Sequence, residues 1–376
     1  MCSSDLSNGG GYFGPYLKFA GWDALEIQGK ADRDVILVID GDEGRVSVEA
    51  APLEAVDTHL IAEQLTEMYA RDERDRQHIS VVSAGQGAEH VLYAGLNLSW
   101  YDPRRKAVRV KQAARGGAGR VLRDKRLKAI VVRYSGLRGD SNLPARPELI
   151  RRAGERINRE IFSLDDQQNQ MRKVGTAYLM EIMNQYDLLP VHNFRFGSTP
   201  DADKIQSTVW KGLFTQGLPD GCWLGCTLAC SHGVDHYHLR TGPYAGRGVL
   251  VDGPEYETVA GLGANLGIFE PLDILELNFY CDTYGIDTIS FANSVAFVMK
   301  CYQEGILNDE RTGGLALTWG NANAVIELLH QVAQGVGFGR IVGQGVRCMK
   351  AICAEEFGVD PAFLLDIGMG VKGVEC

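Results

Sequence analysis

The segment DVILVIDGD, residues 34–42, indicates the fold class of the first part of the chain. It is a short apolar run that ends in turn residues, a pattern typical of a β-strand. The same pattern predicts strands in four further segments: ALEIQG (24–29), RVSVEA (45–50), ISVVSAG (79–85) and LKAIVVRY (127–134). This part of the chain is therefore predicted to be a sheet-rich domain.

Helical spacing marks the rest of the chain. One amphipathic helix, predicted at 57–70 with Asp57 as its cap, has four apolar residues on one face: Leu60, Ile61, Leu65 and Met68. Beyond Pro144 the apolar residues recur at intervals of three and four. This spacing predicts helix through much of 168–188, 255–304 and 318–358.

Length and composition place these elements in a globular protein. The chain has 376 residues, 45% hydrophobic and 23% charged, which is enough for two or three domains. We predict an α+β fold, with a sheet-rich domain at 1–140 and a mainly helical domain at 141–376. Because no signal segment opens the sequence and no long apolar window follows, we expect a cytoplasmic protein without a membrane span.

The charge distribution limits the classes of partner. A net charge of -10 argues against nucleic acid as a main partner. One basic cluster is interpreted as the solvated face of a strand or loop: Arg104, Arg105, Lys106, Arg109 and Lys111.

Three cysteines within the segment GCWLGCTLACSHG (221–233) are the strongest candidates for chemistry. Cys222, Cys226 and Cys230 lie on a glycine-punctuated stretch that is predicted to be a loop. Thiolates at such spacing can bind one centre, and iron with sulfide is its usual occupant. Four other cysteines lie in apolar helical stretches and are predicted to be buried thiols: Cys281, Cys301, Cys348 and Cys353.

Two glycine-rich segments, NGGGYFGP (8–15) and RGGAGR (115–120), allow two interpretations. Their backbone N–H groups could bind an anion such as a phosphate, or they could form tight turns within the sheet domain. Neither is a P-loop and neither fits the dinucleotide-binding glycine pattern.

Five segments, taken together and in this order, carry a resemblance to a known family. They are NGGGYFGPYLKFAGWDALEIQGKA (8–31), RGGAGRVLRDKRLKAIVVR (115–133), the three cysteines, VDGPEYETV (251–259) and CDTYGIDTIS (281–290). The chain resembles the tungsten-containing aldehyde ferredoxin oxidoreductase family from about residue 8 to its last residue.

The resemblance implies a tungsten ion, or more rarely molybdenum, held by two pyranopterin cofactors beside one [4Fe-4S] cluster. It places the pterin phosphates and their Mg²⁺ at the two glycine segments, on Asn8, Gly9, Gly10, Gly117, Ala118 and Gly119. The family's first pterin motif corresponds to Asp282, Gly285 and Asp287, with Ile286 in place of leucine. Carboxylates suit a ring system that is rich in N–H donors.

The resemblance also implies a proton-handling carboxylate near the metal. We favour Glu257 over Glu255 for this role. Three histidines follow the cysteines: His232, His236 and His238. They could bind a metal, but two histidines two apart on a strand, as His236 and His238 are, are more typical of a hydrogen-bonded surface pair. Glu327 and His330 match a motif that binds a metal at the dimer interface of some family members, but we interpret this spacing as a chance match.

Departures from the family pattern leave three functions open. The first gap between the cysteines is three residues instead of two, which resembles the catalytic subunits of class II benzoyl-CoA reductases. The family's opening segment and its last helical domain, with the fourth cluster cysteine, have no counterpart, and Cys376 is a poor substitute. We therefore expect a fragment that holds its cofactors poorly when it is made alone.

The candidate functions are aldehyde oxidation with ferredoxin as acceptor, reduction of an aromatic acyl-CoA within a complex that includes an iron–sulfur subunit, and an inactive fragment without cofactor. A homodimer or a hetero-oligomer is expected for either enzyme.

Overall fold

The fold is taken from a computed structural model that describes residues 7–52, 56–136, 144–215 and 220–375. Its strands are β1 Val35–Asp40, β2 Arg45–Ala50, β3 Ile79–Ser83, β4 Leu96–Asp102, β5 Ala107–Ala113, β6 Leu127–Arg133, β7 Gly233–His238, β8 Gly248–Asp252, β9 Gly370–Val371 and β10 Val374–Glu375. Its α-helices are α1 Phe13–Phe19, α2 Thr58–Tyr69, α3 Ala118–Asp124, α4 Pro147–Ser163, α5 Gln170–Val174, α6 Leu179–Gln185, α7 Ser207–Leu213, α8 Tyr256–Leu262, α9 Pro271–Tyr284, α10 Thr288–Gln303, α11 Asp309–Thr312, α12 Ala322–Gln334, α13 Gly339–Val342, α14 Gly345–Phe357 and α15 Pro361–Ile367. Short 3₁₀ turns lie at Asp75–His78, Gln86–Glu89, Gly175–Tyr178, Pro200–Ile205 and Ala264–Leu266.

A six-stranded sheet in the order β2-β1-β6-β3-β4-β5 forms the first part of the chain. Only β1 and β6 run parallel, and each other neighbouring pair is antiparallel. The apolar runs at 34–42, 79–85 and 127–134 become β1, β3 and β6, which lie inside the sheet and are mostly buried. The strand prediction at 45–50 is also confirmed, as the edge strand β2.

The strand prediction at 24–29 is wrong. This segment is irregular, and it pairs with no strand in the part of the chain that the structure describes. Leu25 and Ile27 lie partly buried against the core while the residues between and around them are exposed. Alternation of apolar and polar residues therefore reflects packing on the core here, without a ladder of hydrogen bonds.

The β4–β5 hairpin was not predicted, because its strands carry charged and polar residues and show no apolar run. Trp100 and Arg109 are opposite each other in its register. The solvated interpretation of the basic cluster is wrong for three of its members, because the side chains of Arg105, Arg109 and Lys111 are only 6%, 1% and 12% exposed.

Helices dominate after residue 144, and the predicted α+β class is confirmed. Two hairpins in this part, β7–β8 and β9–β10, were not predicted. The predicted boundary at residue 140 lies outside the described residues. The helix predicted at 57–70 is α2, and Asp57 occupies its N-cap position. The Asp57 side chain makes no capping hydrogen bond and accepts one from the Tyr244 hydroxyl instead.

Two apolar clusters hold the fold together. In the smaller one, Ile61 and Leu65 of α2 pack on residues of β1, β3 and β6. The larger one joins the other side chains of the sheet to the helices, where Phe291 and Phe297 of α10 are fully buried. Burying one such side chain contributes about 1.5–3 kcal/mol, so α10 is a main stabilising element. Among the described helices, none has the length and apolar character needed to cross a membrane.

Candidate functional site

The first glycine segment packs directly on the loop that carries the cysteines. The Gly11 N–H donates to the Cys222 carbonyl over 2.6 Å, and Gly11 pairs with Trp223 in an isolated parallel bridge. A Cβ atom on Gly10 would lie 2.3 Å from the same carbonyl oxygen, so no larger residue fits there without displacing the loop. Gly9, in turn, lies over Leu98 near the end of the β4–β5 hairpin, where its Cβ would be 3.0 Å from a Leu98 methyl.

The second glycine segment is joined to the Asp282–Asp287 motif through Gly95. The Gly119 N–H donates to Ala94, and the Gly95 N–H donates to Gly285, each over 2.9 Å. Gly117 has φ 73°, and a Cβ on Gly119 would lie 2.1 Å from the Gly95 carbonyl oxygen. The glycines here meet a requirement of chain packing, so this observation favours the tight-turn interpretation. A phosphate-binding role for this segment, including Ala118 at the start of α3, stays a prediction.

The pterin motif inferred from the resemblance lies at the junction of α9 and α10. Gly285 ends α9 with φ 69°, and its Cβ would lie 2.9 Å from the Gly85 amide nitrogen. Asp287 caps α10, because its carboxylate accepts hydrogen bonds from the N–H groups of Ile289 and Ser290 and from the Ser290 hydroxyl. Its oxygens therefore already have partners within the chain.

Asp282 has a different environment. Among the described residues its carboxyl group has no hydrogen-bond partner, and it lines a cavity of about 300 Å³ between α2, β5, β8 and α9. Burial, with a smaller contribution from the charge of Asp252, raises the pKa of Asp282 well above its usual value. A neutral carboxyl group at this position can both donate and accept a hydrogen bond.

The same cavity contains further polar groups. His59 lines it, and burial, assisted by the charge of Arg247, lowers the pKa of His59 to about 4. Asp252 also lines it, and its Oδ2 atom is buried and has no hydrogen-bond partner among the residues that the structure describes. Buried polar atoms without partners call for a ligand or ordered water. These groups fit the edge of a ring rich in N–H and carbonyl groups, as a pterin is.

The cysteine loop, residues 220–231, is closed at its base by a pair of backbone hydrogen bonds between Asp220 and Ser231, of 3.1 and 3.0 Å. None of its thiols forms a disulfide, and Cys222 is exposed while Cys226 and Cys230 are partly buried. Burial raises the pKa of the Cys222 thiol, and it raises that of Cys230 to about 11, with neighbouring thiols contributing to both shifts. The three sulfur atoms therefore lie within one another's electrostatic field.

Within the described ranges, no three His, Cys, Asp or Glu side chains converge as ligands of a single metal ion. An iron–sulfur cluster bonds each thiolate to a different iron atom, so its cysteines need not meet at one point. The three thiols thus fit part of a cluster site by their chemistry and their proximity. Cys376 lies outside the described residues.

The two candidate carboxylates have contrasting positions. Glu257, in the first turn of α8, is exposed, and its catalytic role stays a prediction. Glu255 is partly buried and accepts a hydrogen bond from the Thr176 hydroxyl. Its charge contributes to the raised pKa of Cys230, second only to burial. Of the two, Glu255 is therefore the carboxylate whose charge acts on the cysteine loop.

The histidines that follow the cysteines are divided between the core and the surface. His232 is buried, stacks on Phe214 at 5.1 Å, and has an Nε2 atom without a hydrogen-bond partner in the described chain. His236 and His238 are exposed on β7.

Glu327 and His330 of the ExxH pair also differ in burial. Glu327 is exposed, while the buried His330 hydrogen-bonds through Nδ1 to the Tyr284 hydroxyl over 2.9 Å.

Sequence reasoning missed a buried ionic network beside the cysteine loop, which we call the β5 charge network. Arg109 pairs with Asp220 at 2.7 Å and with Asp252 at 2.9 Å, and the Asp220 contact lacks the angles of a hydrogen bond. The other members are Asp102, Arg104, Arg105, Lys111 and Asp235. Arg109 and Lys111, two positions apart on β5, were the available signal, because alternate residues of a strand share one face.

Two family models match this chain. Residues 4–134 match the family model described as the N-terminal domain of aldehyde ferredoxin oxidoreductase. Residues 152–376 match the model described as domains 2 and 3 of the same enzyme.

Individual relatives agree with the family models. A tungsten-containing aldehyde ferredoxin oxidoreductase of Pyrococcus horikoshii is 32% identical over 98% of this chain and 55% of its own length. The WOR-like subunit of an aliphatic sulfonate oxidoreductase of Pyrococcus furiosus is 27% identical over 95% of this chain and 54% of its own length. The chain thus spans about half the length of the curated relatives that it matches.

A solved structure shares the fold. The active-site complex of a benzoyl coenzyme A reductase, bound to 1,5-dienoyl-CoA, contains a chain that superposes with a TM-score of 0.68. The match covers 97% of this chain and 52% of the other at 20% identity, so it shows likeness of fold.

Proposed function

The chain belongs to the aldehyde ferredoxin oxidoreductase family, and on that premise we propose that it serves an oxidoreductase that converts aldehydes to carboxylic acids with ferredoxin as electron acceptor. The proposal is supported mainly by backbone hydrogen bonds that join segments distant in sequence. Gly11 bonds to the cysteine loop, and Gly95 bonds to Gly285 beside the second glycine segment. Segments 211 and 190 residues apart in sequence thus build one region, which contains thiols, glycine backbone and a carboxyl group whose pKa is raised by burial.

The proposed cofactors are a tungsten or molybdenum bis-pterin, a [4Fe-4S] cluster and Mg²⁺. When bound, they would supply the two-electron oxidation and the passage of single electrons to the acceptor. Cys222, Cys226 and Cys230 would bind three irons of the cluster. The pterins would contact Asp282 and Gly285, with Asp287 shaping the motif from its capping position. Their phosphates and Mg²⁺ would lie on the backbone of two triplets: Asn8, Gly9 and Gly10, and Gly117, Ala118 and Gly119.

The chain's own side chains would orient the cofactor and handle protons. Burial raises the pKa of Asp282 and so favours its neutral form, which would donate one hydrogen bond to a pterin acceptor and accept another from a ring N–H. Aldehyde oxidation releases protons, and Glu257 is proposed to accept one at a carboxylate oxygen. Glu255 is an alternative acceptor, because its charge acts on Cys230 of the cysteine loop.

A second candidate function is reduction of an aromatic acyl-CoA within a larger complex. The gap of three residues between Cys222 and Cys226 favours it, together with the fold shared with a benzoyl coenzyme A reductase chain. An iron–sulfur subunit would replace ferredoxin as the partner, and a hetero-oligomer would replace a homodimer. For both functions we propose a cytoplasmic location.

Metal analysis with activity measurements tests these proposals. The chain would be produced anaerobically with tungstate, and its tungsten and iron contents would be compared with those of Cys226→Ser and Cys348→Ser. We expect Cys226→Ser to lose iron and Cys348→Ser to keep it, because Cys348 lies on α14. Reduction of ferredoxin by aldehydes supports the first function, and turnover of an aromatic acyl-CoA supports the second. Equal, background metal in all three proteins would refute metal binding by this chain on its own and support the third candidate, a chain without cofactor.

A further inference from the structure

The base of the cysteine loop is attached to the β4–β5 hairpin by charged groups on both sides. We call the Asp220–Ser231 backbone pair the neck of this loop. On one side of the neck, the Asp220 carboxylate pairs with Arg104 at 2.5 Å and with Arg105 at 3.2 Å. On the other side, the Lys111 Nζ donates to the Ser231 hydroxyl over 2.6 Å.

Lys111 also connects the neck to the cavity that contains Asp282. The same Nζ donates to Asp252 Oδ1 over 2.6 Å, and Asp252 lines that cavity. The Lys111 side chain is only 12% exposed, and those of Asp252 and Ser231 are nearly inaccessible. One buried ammonium group is therefore held between the cysteine loop and the cavity by two hydrogen bonds.

Burying a lysine for stability alone is a costly arrangement. A buried cation must recover a desolvation penalty of several kcal/mol through its partners. Arg109 already pairs with Asp252 at 2.9 Å, so this carboxylate does not need a second cation to be neutralised. The presence of the second cation, Lys111, is accounted for by a role that depends on where its charge lies.

We propose that Lys111 is a positioning residue that keeps the neck of the cysteine loop closed before iron binds and fixes one positive charge between the cluster and the cavity. The part concerning the cluster rests on the proposed function. A fixed cation stabilises the form of the cluster that carries the additional electron, because that form is more negative. Lys111 therefore favours reduction of the cluster.

The first experiment uses the metal-free chain and amide hydrogen exchange. The Asp220 and Ser231 amides form the neck hydrogen bonds, and we expect Lys111→Met to speed their exchange on the order of tenfold. Lys106→Met is the matched control, because it removes an exposed lysine from the same hairpin and should leave both rates unchanged. Ser231→Ala removes the hydroxyl group while leaving Lys111 paired with Asp252, and it should speed exchange to a smaller extent.

The second experiment uses the chain reconstituted with iron and sulfide, in a redox titration followed by electron paramagnetic resonance. Lys111→Met should make reduction of the cluster about tenfold less favourable, a shift of about 59 mV for one electron. Lys111→Arg keeps the charge and should restore the potential. A purely structural role would not predict this rescue at equal iron content.

Each outcome decides a separate claim. If the wild-type chain takes up no iron, the proposed function fails, and the exchange experiment still tests the closed neck. If the wild type binds iron but Lys111→Met has the same potential and the same exchange rates, the inference is overturned. If Lys111→Met does not fold, the test relies on Ser231→Ala and Lys111→Arg. Unchanged amide exchange in Ser231→Ala would refute the closed neck.

Discussion

Replacement of Arg109 by methionine should destabilise the chain more than any other single change in the β5 charge network. The Arg109 guanidinium is 1% exposed and lies between Asp220 at 2.7 Å and Asp252 at 2.9 Å. Removing one partner of a buried ion pair costs about 3–5 kcal/mol, because the remaining charge is left buried. In this variant Arg105 still neutralises Asp220, and Lys111 still neutralises Asp252. We therefore expect the free energy of unfolding to fall by an amount near the lower limit of that range, about 3 kcal/mol.

Urea unfolding followed by circular dichroism measures this loss, with Arg104→Met as the matched control. Arg104 also contacts Asp220, but its side chain is 46% exposed, and pairs of this kind contribute about 0–1 kcal/mol. Both variants remove one arginine next to the same carboxylate. The difference between their losses of unfolding free energy therefore reflects the burial of the arginine side chain. Equal losses in the two variants, or a loss below about 1 kcal/mol for Arg109→Met, would show that the network contributes no more than surface pairs do.

Two further predictions concern acid stability and the first glycine segment. Burial alone would raise the pKa of Asp102, but hydrogen bonds from Arg105 and its neighbour lower it from 3.8 to about 2. The group therefore contributes about 2 kcal/mol to the free energy of unfolding above pH ~4, and this contribution is lost as the pH falls through ~2. Asp102→Asn should remove this dependence from urea midpoints measured between those values. Gly10→Ala should displace the cysteine loop and lower iron uptake, since its Cβ would lie 2.3 Å from the Cys222 carbonyl oxygen. Gly14→Ala, whose Cβ would meet nothing within 4 Å, should bind iron normally, and equal uptake in the two variants would contradict the packing argument.

The elements that could be predicted from sequence are those whose signal is local. The apolar runs of β1, β3 and β6 and the amphipathic spacing of α2 each lie within one short window. The β4–β5 hairpin could not be found in this way. Its stability depends on carboxylates that are distant in sequence, such as Asp252, which bonds to Arg109 across 143 positions. In a short window around Arg109, residues 104–115, all the charged residues are basic, and the solvated interpretation follows from that limited view.

The candidate site shows the same difference between features with a local signal in the sequence and features that depend on contacts between distant residues. The order of the motifs was visible in the sequence, and their contacts were not. Residue type alone could not show that Asp282 lines a cavity while Asp287 caps a helix, because both are aspartates in one short motif. The difference arises from position on α9 and α10, since a residue just before a helix meets the free N–H groups of its first turn.

Two kinds of contact hold the cysteine loop, and they should respond differently to substitution. On the Gly10 side the contact is between backbone atoms, and a single methyl group would overlap with the Cys222 carbonyl. On the Lys111 side the contacts are hydrogen bonds from a charged group, which a longer cation such as arginine can replace with small adjustments. The size of the side chain therefore limits which residues are tolerated at position 10, and the charge of the side chain limits which are tolerated at position 111. Lys111→Arg should keep the reconstituted iron content of the wild type while Gly10→Ala loses it, and the reverse order would show that the loop is held by its charges alone.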